Sequence, residues 1–324
     1  MKLKPLIALA AVCATLLSPS ARAADAYPGK PVVIVAPSGA GGGFDFVGRM
    51  MGQTLTEQLK GSFIVDNRTG SGTVVGTKSV AIAPPDGYTL LVGGLSNMVF
   101  NAALYDKQAY SPQNDFIPVK LVARYPYVLA ARADLKLDTA SQIMAAAKLQ
   151  PETFTIATAG AGSGQQVLAA AFEKSAKAKF LIVPYKSAQA AYQDLIAGRV
   201  DLFFDTLPSV RPHLQSKRVK AIFITSPVRN PAVPALPTAR EIGLPELEMG
   251  SWFGLFAPRK TPPNVVTELR RALDAGMKEP AMLTRLDAAG IEPLALTPEQ
   301  TDAFIKAEYT KWTGVIKQAG ITAD

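Results

Sequence analysis

The sequence predicts an α/β protein of two mainly parallel sheets flanked by helices. Three observations carry that expectation. Continuous apolar runs of strand length recur, as at residues 31–36 (PVVIVA) and 220–224, which is the composition of strands covered on both faces. Segments with apolar residues at helical spacing separate them, as at Val47, Met50, Met51, Leu55 and Leu59. Two glycine-rich loops join a strand to a helix. Such alternation produces parallel strands linked by right-handed crossovers. The chain has 324 residues, enough for about two domains.

The elements follow in order. Residues 31–36 form the first strand, and the helix after it closes at Gly61, a residue free to adopt the left-handed conformation that ends helices. Residues 63–66 and 88–92 are the next strands, the latter entered from the turn Pro84-Pro85-Asp86-Gly87. Later strands are read at residues 128–132, 153–157, 179–183, 200–204 and 220–224. Helices are read at 165–174 and at 188–197, the second stopped by Gly198. The last helix opens with the capping box Thr297-Pro298-Glu299-Gln300 and buries Phe304, Ile305, Tyr309, Trp312 and Ile316. No repeat or low-complexity linker divides the chain. The domain boundary is therefore a pair of short crossings, near 124–126 and 225–227, where Pro126 and Pro227 interrupt apolar runs. This gives one domain of residues 24–124 plus 228–324 and a second of residues 125–227.

Residues 1–23 stand apart. Lys2 and Lys4 precede an apolar stretch from Leu6 to Leu17, and Ala21-Arg22-Ala23 is a small-residue exit. Together they read as an export signal cleaved after Ala23, which places the protein in the periplasm. Val12 before Cys13 is too large for a lipid-attachment site. Composition excludes several functions. Charged residues are only 19% and hydrophobic ones 48%, which rules out a disordered chain. Beyond the leader no apolar run is long enough to span a bilayer. Net charge is +8 and falls to about +5 without the leader, with no block of like charges, so no nucleic-acid partner is expected. One Cys and one His in the whole chain leave no metal site to expect and little nucleophilic chemistry.

The two glycine loops carry the chemistry. The first is residues 37–45 (PSGAGGGFD) and the second residues 158–164 (TAGAGSG). Each can turn backbone N–H groups toward one point at a helix N-terminus, where amides and dipole together favour an anion. Glycine also serves close packing of strand on helix, so one loop alone would say little. Facing each other across a cleft at the C-terminal strand edges, they would form a ligand site. A dinucleotide fingerprint fails because Phe44 stands where glycine or alanine is needed, and residues 72–79 miss the phosphate-loop spacing by one. No cofactor is expected. His213 is a helix histidine with no partner for an acyl-transfer constellation, so an exported hydrolase would depend wholly on it. Asp201 and Asp205 share a strand face but stand about 13 Å apart, too far to share a proton. Asp205 reads as either a ligand contact or a helix cap.

Further motifs carry a resemblance. They are Tyr27-Pro-Gly-Lys-Pro31, Ala40 to Asp45, and Asp66-Asn67-Arg68 with Gly70 and Gly72. Ala83 to Leu90, Val183-Pro-Tyr-Lys186, Gly198 to Asp205, Leu236-Pro-Thr238 and Ser251-Trp-Phe-Gly254 complete the set in order. The chain resembles the Bug family, the periplasmic solute receptors of tripartite tricarboxylate transporters. The resemblance implies a two-domain Venus-flytrap fold hinged on two crossing strands. It also implies a small organic carboxylate ligand, membrane transporter subunits as partner, no enzymatic activity and a monomer. A sensor subunit for a membrane kinase would share that fold and site. Carried over by position, Ser38, Gly39, Ala40 and Gly41, with Thr158, Ala159, Gly160 and Ser163, hold a carboxylate. Ser96, Asn97, Tyr185 and Asp205 line the remainder, and Trp252 is expected near the cleft. This sequence departs from the family at Ser38 and Gly39, and again at Gln165 and Gln166, which points to a bulkier or more polar ligand.

Overall fold

The computed structural model describes residues 27–105, 109–160 and 163–319. The leader with Cys13 and the cleavage point after Ala23 lies outside them, as do Ala161 and Gly162 of the second glycine loop.

The chain begins as expected. Strand β1 (Val32–Ala36) leads through the first glycine loop into helix α1 (Gly43–Leu59). Strand β2 (Phe63–Asn67), helix α2 (Val74–Ala81) and strand β3 (Thr89–Gly94) follow. β1 lies between β2 and β3, parallel to both. Its residues are apolar without alternation because α1 covers one face and α2 the other. After β3 a π-helical turn, Ser96–Phe100, runs into α3 (Asn101–Leu104), and α4 (Pro112–Asp115) precedes β4 (Phe116–Arg132).

β4 joins the two halves of the molecule. Over 17 residues it pairs first with β9 (Gly250–Pro258) and then, from Tyr127, with β7 (Leu202–Thr206). Only its last five residues read as a strand in the sequence, because Pro118 and Pro126 interrupt it. The ladder meets Pro118 with a register shift before Lys120 and shifts again between Leu121 and Ala123, bulged positions of the kind where a strand tolerates proline, and Pro126 stands where β4 passes from β9 to β7.

The second sheet repeats the strand–helix pattern. α5 (Ala140–Leu149) leads to β5 (Thr155–Thr158) and α6 (Gly164–Ala176). β6 (Leu181–Pro184) and α7 (Ala188–Ile196) precede β7, α8 (Leu207–Gln215) and β8 (Val219–Ile224). β5 is parallel to β6 and β7. The sheets are mixed rather than mainly parallel. The outer strand–helix–strand units are parallel, whereas β3–β9, β4–β9, β4–β7 and β4–β8 are antiparallel.

The return path differs from the expected break at 227–228. Thr225 donates its amide to the Tyr127 carbonyl (2.9 Å), and its hydroxyl accepts from the Tyr127 amide (2.8 Å) and donates to the Met249 carbonyl (2.6 Å). Ile224 bonds to both Pro237 and Ala239. The segment after 227 therefore stays on the second sheet until β9 begins at Gly250. Behind the crossing, α9 (Pro263–Gly276), α10 (Pro280–Ala289) and the short β10 (Glu292–Pro293) lead to α11 (Pro298–Ala319). The α11 capping box forms as read: Gln300 N donates to Thr297 Oγ1 (3.3 Å) and Thr297 N to Gln300 Oε1 (2.9 Å). Trp252 and Trp312 both donate to Glu308 Oε2, at 3.2 and 3.1 Å. Trp252 is fully buried on this rear face and does not border the cleft. Among the described residues no helix is long and apolar enough to cross a membrane.

Candidate functional site

A cavity of about 490 Å³ opens between the two sheets. It lies at the C-terminal ends of β1, β2, β5, β6 and β7, where ligands of open α/β sheets bind. Five helices begin at its wall. Their N-cap residues, Gly42 of α1, Thr73 of α2, Ser163 of α6, Ser187 of α7 and Thr206 of α8, all line it. Each helix start brings unpaired amides and the positive end of a dipole, so the cavity favours an anion.

Eight of the expected residues meet here: Ser38, Gly39, Ser96, Ala159, Gly160, Ser163, Tyr185 and Asp205. Four do not. Ala40 is exposed outside the lining. Gly41 is spent locally, because its amide donates to Asp45 Oδ2 (2.9 Å). Arg49 reaches the same carboxylate at 2.9 Å. Burial alone would raise the Asp45 carboxyl, but bonds from Arg49, Gly41 and Asn67 more than offset it and hold it below the usual range. Asp45 thus stabilises the loop from within. Asn97 is wholly buried. It accepts from Gly94 N (2.8 Å) and donates to Thr77 Oγ1 (3.0 Å) and the Val92 carbonyl (3.3 Å), which ties the end of β3 to α2. Thr158 is buried at the end of β5 and accepts the Tyr185 amide at 2.8 Å.

Among the lining residues some polar groups are already engaged. The Ser163 hydroxyl donates to the Gly160 carbonyl (2.7 Å) and accepts from Gln166 N (3.2 Å), so it caps α6 and braces the second loop. The Tyr185 hydroxyl donates to Asp194 Oδ2 (2.7 Å). Asp205 is 2% exposed. Its Oδ1 accepts from Thr206 N (2.8 Å) and Gln165 Nε2 (3.1 Å). Burial pushes its carboxyl up to about 6, against the bonds from Thr206, Tyr192 and Gln165 that favour the charge. Asp201 turns away from this chemistry and binds Arg132 (2.8 Å) and Thr155. His213 stacks on Tyr192, ring centroids 4.0 Å apart, and burial with Arg218 nearby lowers its pKa.

The sequence reading missed much of the wall. Residues 69–73 line it in an unusual backbone, with Gly70, Ser71, Gly72 and Thr73 all at positive φ. Thr73 at +81° is strained for a β-branched residue. Lys186, Ser187 and Gln189 contribute from the start of α7, and Tyr127, Ser251 and Phe253 from β4 and β9. Strand alternation carried the last signal: Ser251 and Phe253 share a parity that Trp252 lacks. Among the described residues no group of three or more His, Cys, Asp or Glu could hold a metal ion.

Residues 47–321 match the family described as "Tripartite tricarboxylate transporter family receptor". Three solved structures resemble the chain closely. The periplasmic binding protein BugD is 32% identical with a TM-score of 0.87, over 91% of this chain and 99% of that one. A Rhodopseudomonas palustris protein solved with adipate is 31% identical with a TM-score of 0.88, over 91% and 99%. MatC from the same organism, solved with bound malate, is 32% identical with a TM-score of 0.85, over 90% and 100%. On this evidence the chain belongs to the tripartite tricarboxylate transporter receptor family, a family of periplasmic solute-binding proteins rather than enzymes.

Proposed function

We propose that this protein is an extracytoplasmic receptor that captures a small organic carboxylate in the cavity between its sheets. It then delivers that ligand to the membrane subunits of a tripartite tricarboxylate transporter. The convergence of five helix N-termini on one cavity supports this reading most directly. Such an arrangement recognises negative charge through amides and needs no metal or cofactor. The neighbours solved with adipate and malate support the same ligand class. Export with cleavage after Ala23 places the receptor where the ligand arrives. We take Ser38, Gly39, Gly160, Tyr185 and Asp205 as ligand contacts, and the two lobes as parting near residue 126 on β4 and near residue 249 on the return path. We take the receptor to act as a monomer.

A thermal-shift screen of the mature protein against small organic acids tests the reading. A ligand at about 100 times its Kd adds roughly 2.7 kcal/mol to stability, so a true ligand stands out. Shifts confined to uncharged solutes would sink the carboxylate assignment. Delivery is tested by uptake in cells lacking the receptor: the acid found in the screen should enter only when the receptor is restored.

A further inference from the structure

A second cavity, of about 550 Å³, lies behind the crossing. Arg124 and Pro126 of β4 line it, whereas Tyr127, which lines the ligand cavity, has the opposite strand parity. The two cavities therefore sit on opposite faces of the strand that joins the lobes. Both lobes build the rear walls. Asp287, the stretch from Gly290 to Pro293 and Lys311 belong to the first, and the stretch from Thr225 to Pro231 with Glu248 to the second. Asn230 Nδ2 donates to the Gly290 carbonyl (3.3 Å), one link between these walls. Lobes that pivot at the crossing carry the walls with them, so the rear cavity keeps this shape only while the front cleft is closed.

Six charged side chains line the rear cavity, and five of them have their charge provided for. Glu248 pairs with Arg240 (2.5 Å) and Arg229 with Glu241 (2.9 Å). Lys311 is exposed and lies over the Trp312 ring, 4.5 Å from its centroid. Asp287 and Glu292 are exposed to water. Arg124 differs. It is half-buried, and among the described residues it makes no hydrogen bond or ion pair. Glu292 stands opposite it in the β4–β10 ladder without pairing. A Cβ on Gly250 would lie 2.7 Å from Arg124 Nε, so a glycine lets this side chain lie along the crossing. A guanidinium partly withdrawn from water with its donors unfilled gains from a carboxylate, which two parallel N–H bonds can grip. In the same cavity Pro227 and Val228, the latter 70% exposed, form an apolar shelf.

Resting on the receptor reading above, we propose that the rear cavity is a docking site for the membrane subunits of the transporter. An exposed loop of those subunits places an Asp or Glu side chain on Arg124 and rests an apolar flank on Val228. Because both lobes build the site, the partner binds the closed, loaded receptor more tightly than the open one. The membrane subunits thus recognise loading without touching the acid.

The test separates capture from delivery. Adipate, malate, succinate and citrate are screened by thermal shift, and the acid with the largest shift is the probe. The variants are Arg124→Gln and Val228→Trp; Val228 is exposed, so its replacement spares the fold and decides the matter should Arg124→Gln not fold. By calorimetry each folded variant should bind the probe as wild type does, one molecule per receptor. In cells lacking the receptor, each should restore uptake of the labelled probe at about a tenth of the wild-type rate or less, the scale of a lost charge-assisted bond. Uptake at the wild-type rate from either folded variant would overturn the proposal. Loss of probe binding in a folded variant would also overturn it, because the rear cavity would then act on closure and not on a partner. A second probe molecule bound by wild type and lost in Arg124→Gln would assign the site to free acid and overturn the docking reading. Should no acid shift the wild type, or the restored wild type give no uptake, the receptor reading itself fails, and the proposal with it.

Discussion

A carboxylate sealed from water resists charging, and Asp205 shows what that does to stability. Its pKa stands at about 6 in the folded protein against an ordinary 3.8, with desolvation as the main cause. A raised folded pKa means that the native state holds the proton longer than the unfolded chain. The stabilising contribution is complete below about pH 4 and is lost as pH rises through about 6. Two pKa units correspond to about 3 kcal/mol. The titratable groups around it are Tyr125, Tyr127 and Tyr192, whose own pKa values are pushed upward, so they stay neutral over this window. Asp205→Asn should therefore raise the Tm of the ligand-free protein near pH 7.5 and match wild type near pH 4. Other carboxylates, Asp45 among them, produce the opposite acid slope in both proteins. The difference between the two melting curves is the quantity to follow, and a difference that does not change with pH would refute this account. The position of Asp205 at the C-terminal end of a strand pointed to the cleft or to a helix cap, but its hydrogen bonds depend on Gln165 and Tyr192, and no local pattern encodes those neighbours.

Two glycines at helix starts show how elements are fitted to one another. A Cβ on Gly43 would lie 2.4 Å from the Tyr125 hydroxyl, and one on Gly164 would lie 2.1 Å from that of Tyr127. Tyr125 and Tyr127 are two residues apart on β4 and so face the same side. Each lobe thus rests the opening of one helix on one tyrosine of the crossing strand. The glycine loops were legible in the sequence as helix-opening cradles, whereas this packing role depends on residues far along the chain. Gly164→Ala should cost about 1–3 kcal/mol by overpacking and should displace Tyr127 from the cavity wall, which weakens ligand binding. Tyr127→Phe in the same protein should restore part of the stability. The rescue is partial, because the ring carbon Cζ still lies 2.7 Å from the added methyl. Melting curves of the two single variants and the double variant give the coupling; strict additivity would show that the two residues do not meet. The same limit explains β9. Its residues were read as a motif and not as a strand, because a buried antiparallel strand beside a crossing carries neither clean alternation nor turn signals.

At the scale of the whole molecule the lobes touch on the far side of the cavity from β4. A Cβ on Gly39 would lie 3.7 Å from Ser187 Cβ, and one on Gly41 would lie 2.3 Å from Gln189 Nε2. The first glycine loop thus meets the start of α7 across the cleft, so the described conformation is closed. The lobes are joined by β4 at 126–127 and by the return path through Thr225 and Met249. Few covalent crossings make relative motion the default expectation. A ligand held by α1 and α2 on one lobe and α6, α7 and α8 on the other gains all its contacts only in the closed state. It therefore has the differential affinity that shifts the population. Small-angle scattering should show a smaller radius of gyration on saturation with an acid found in the screen. Gln189→Ala removes this contact with the first glycine loop without changing a residue of either loop, and should raise the radius of the free protein. Tryptophan emission should stay nearly constant through the same titration, since Trp252 and Trp312 are both anchored to Glu308 on the rear face. An unchanged scattering curve with a demonstrably bound acid would mean that the free receptor is already closed. In that event the ligand must enter through local loop opening near residues 69–73, where the strained backbone is concentrated.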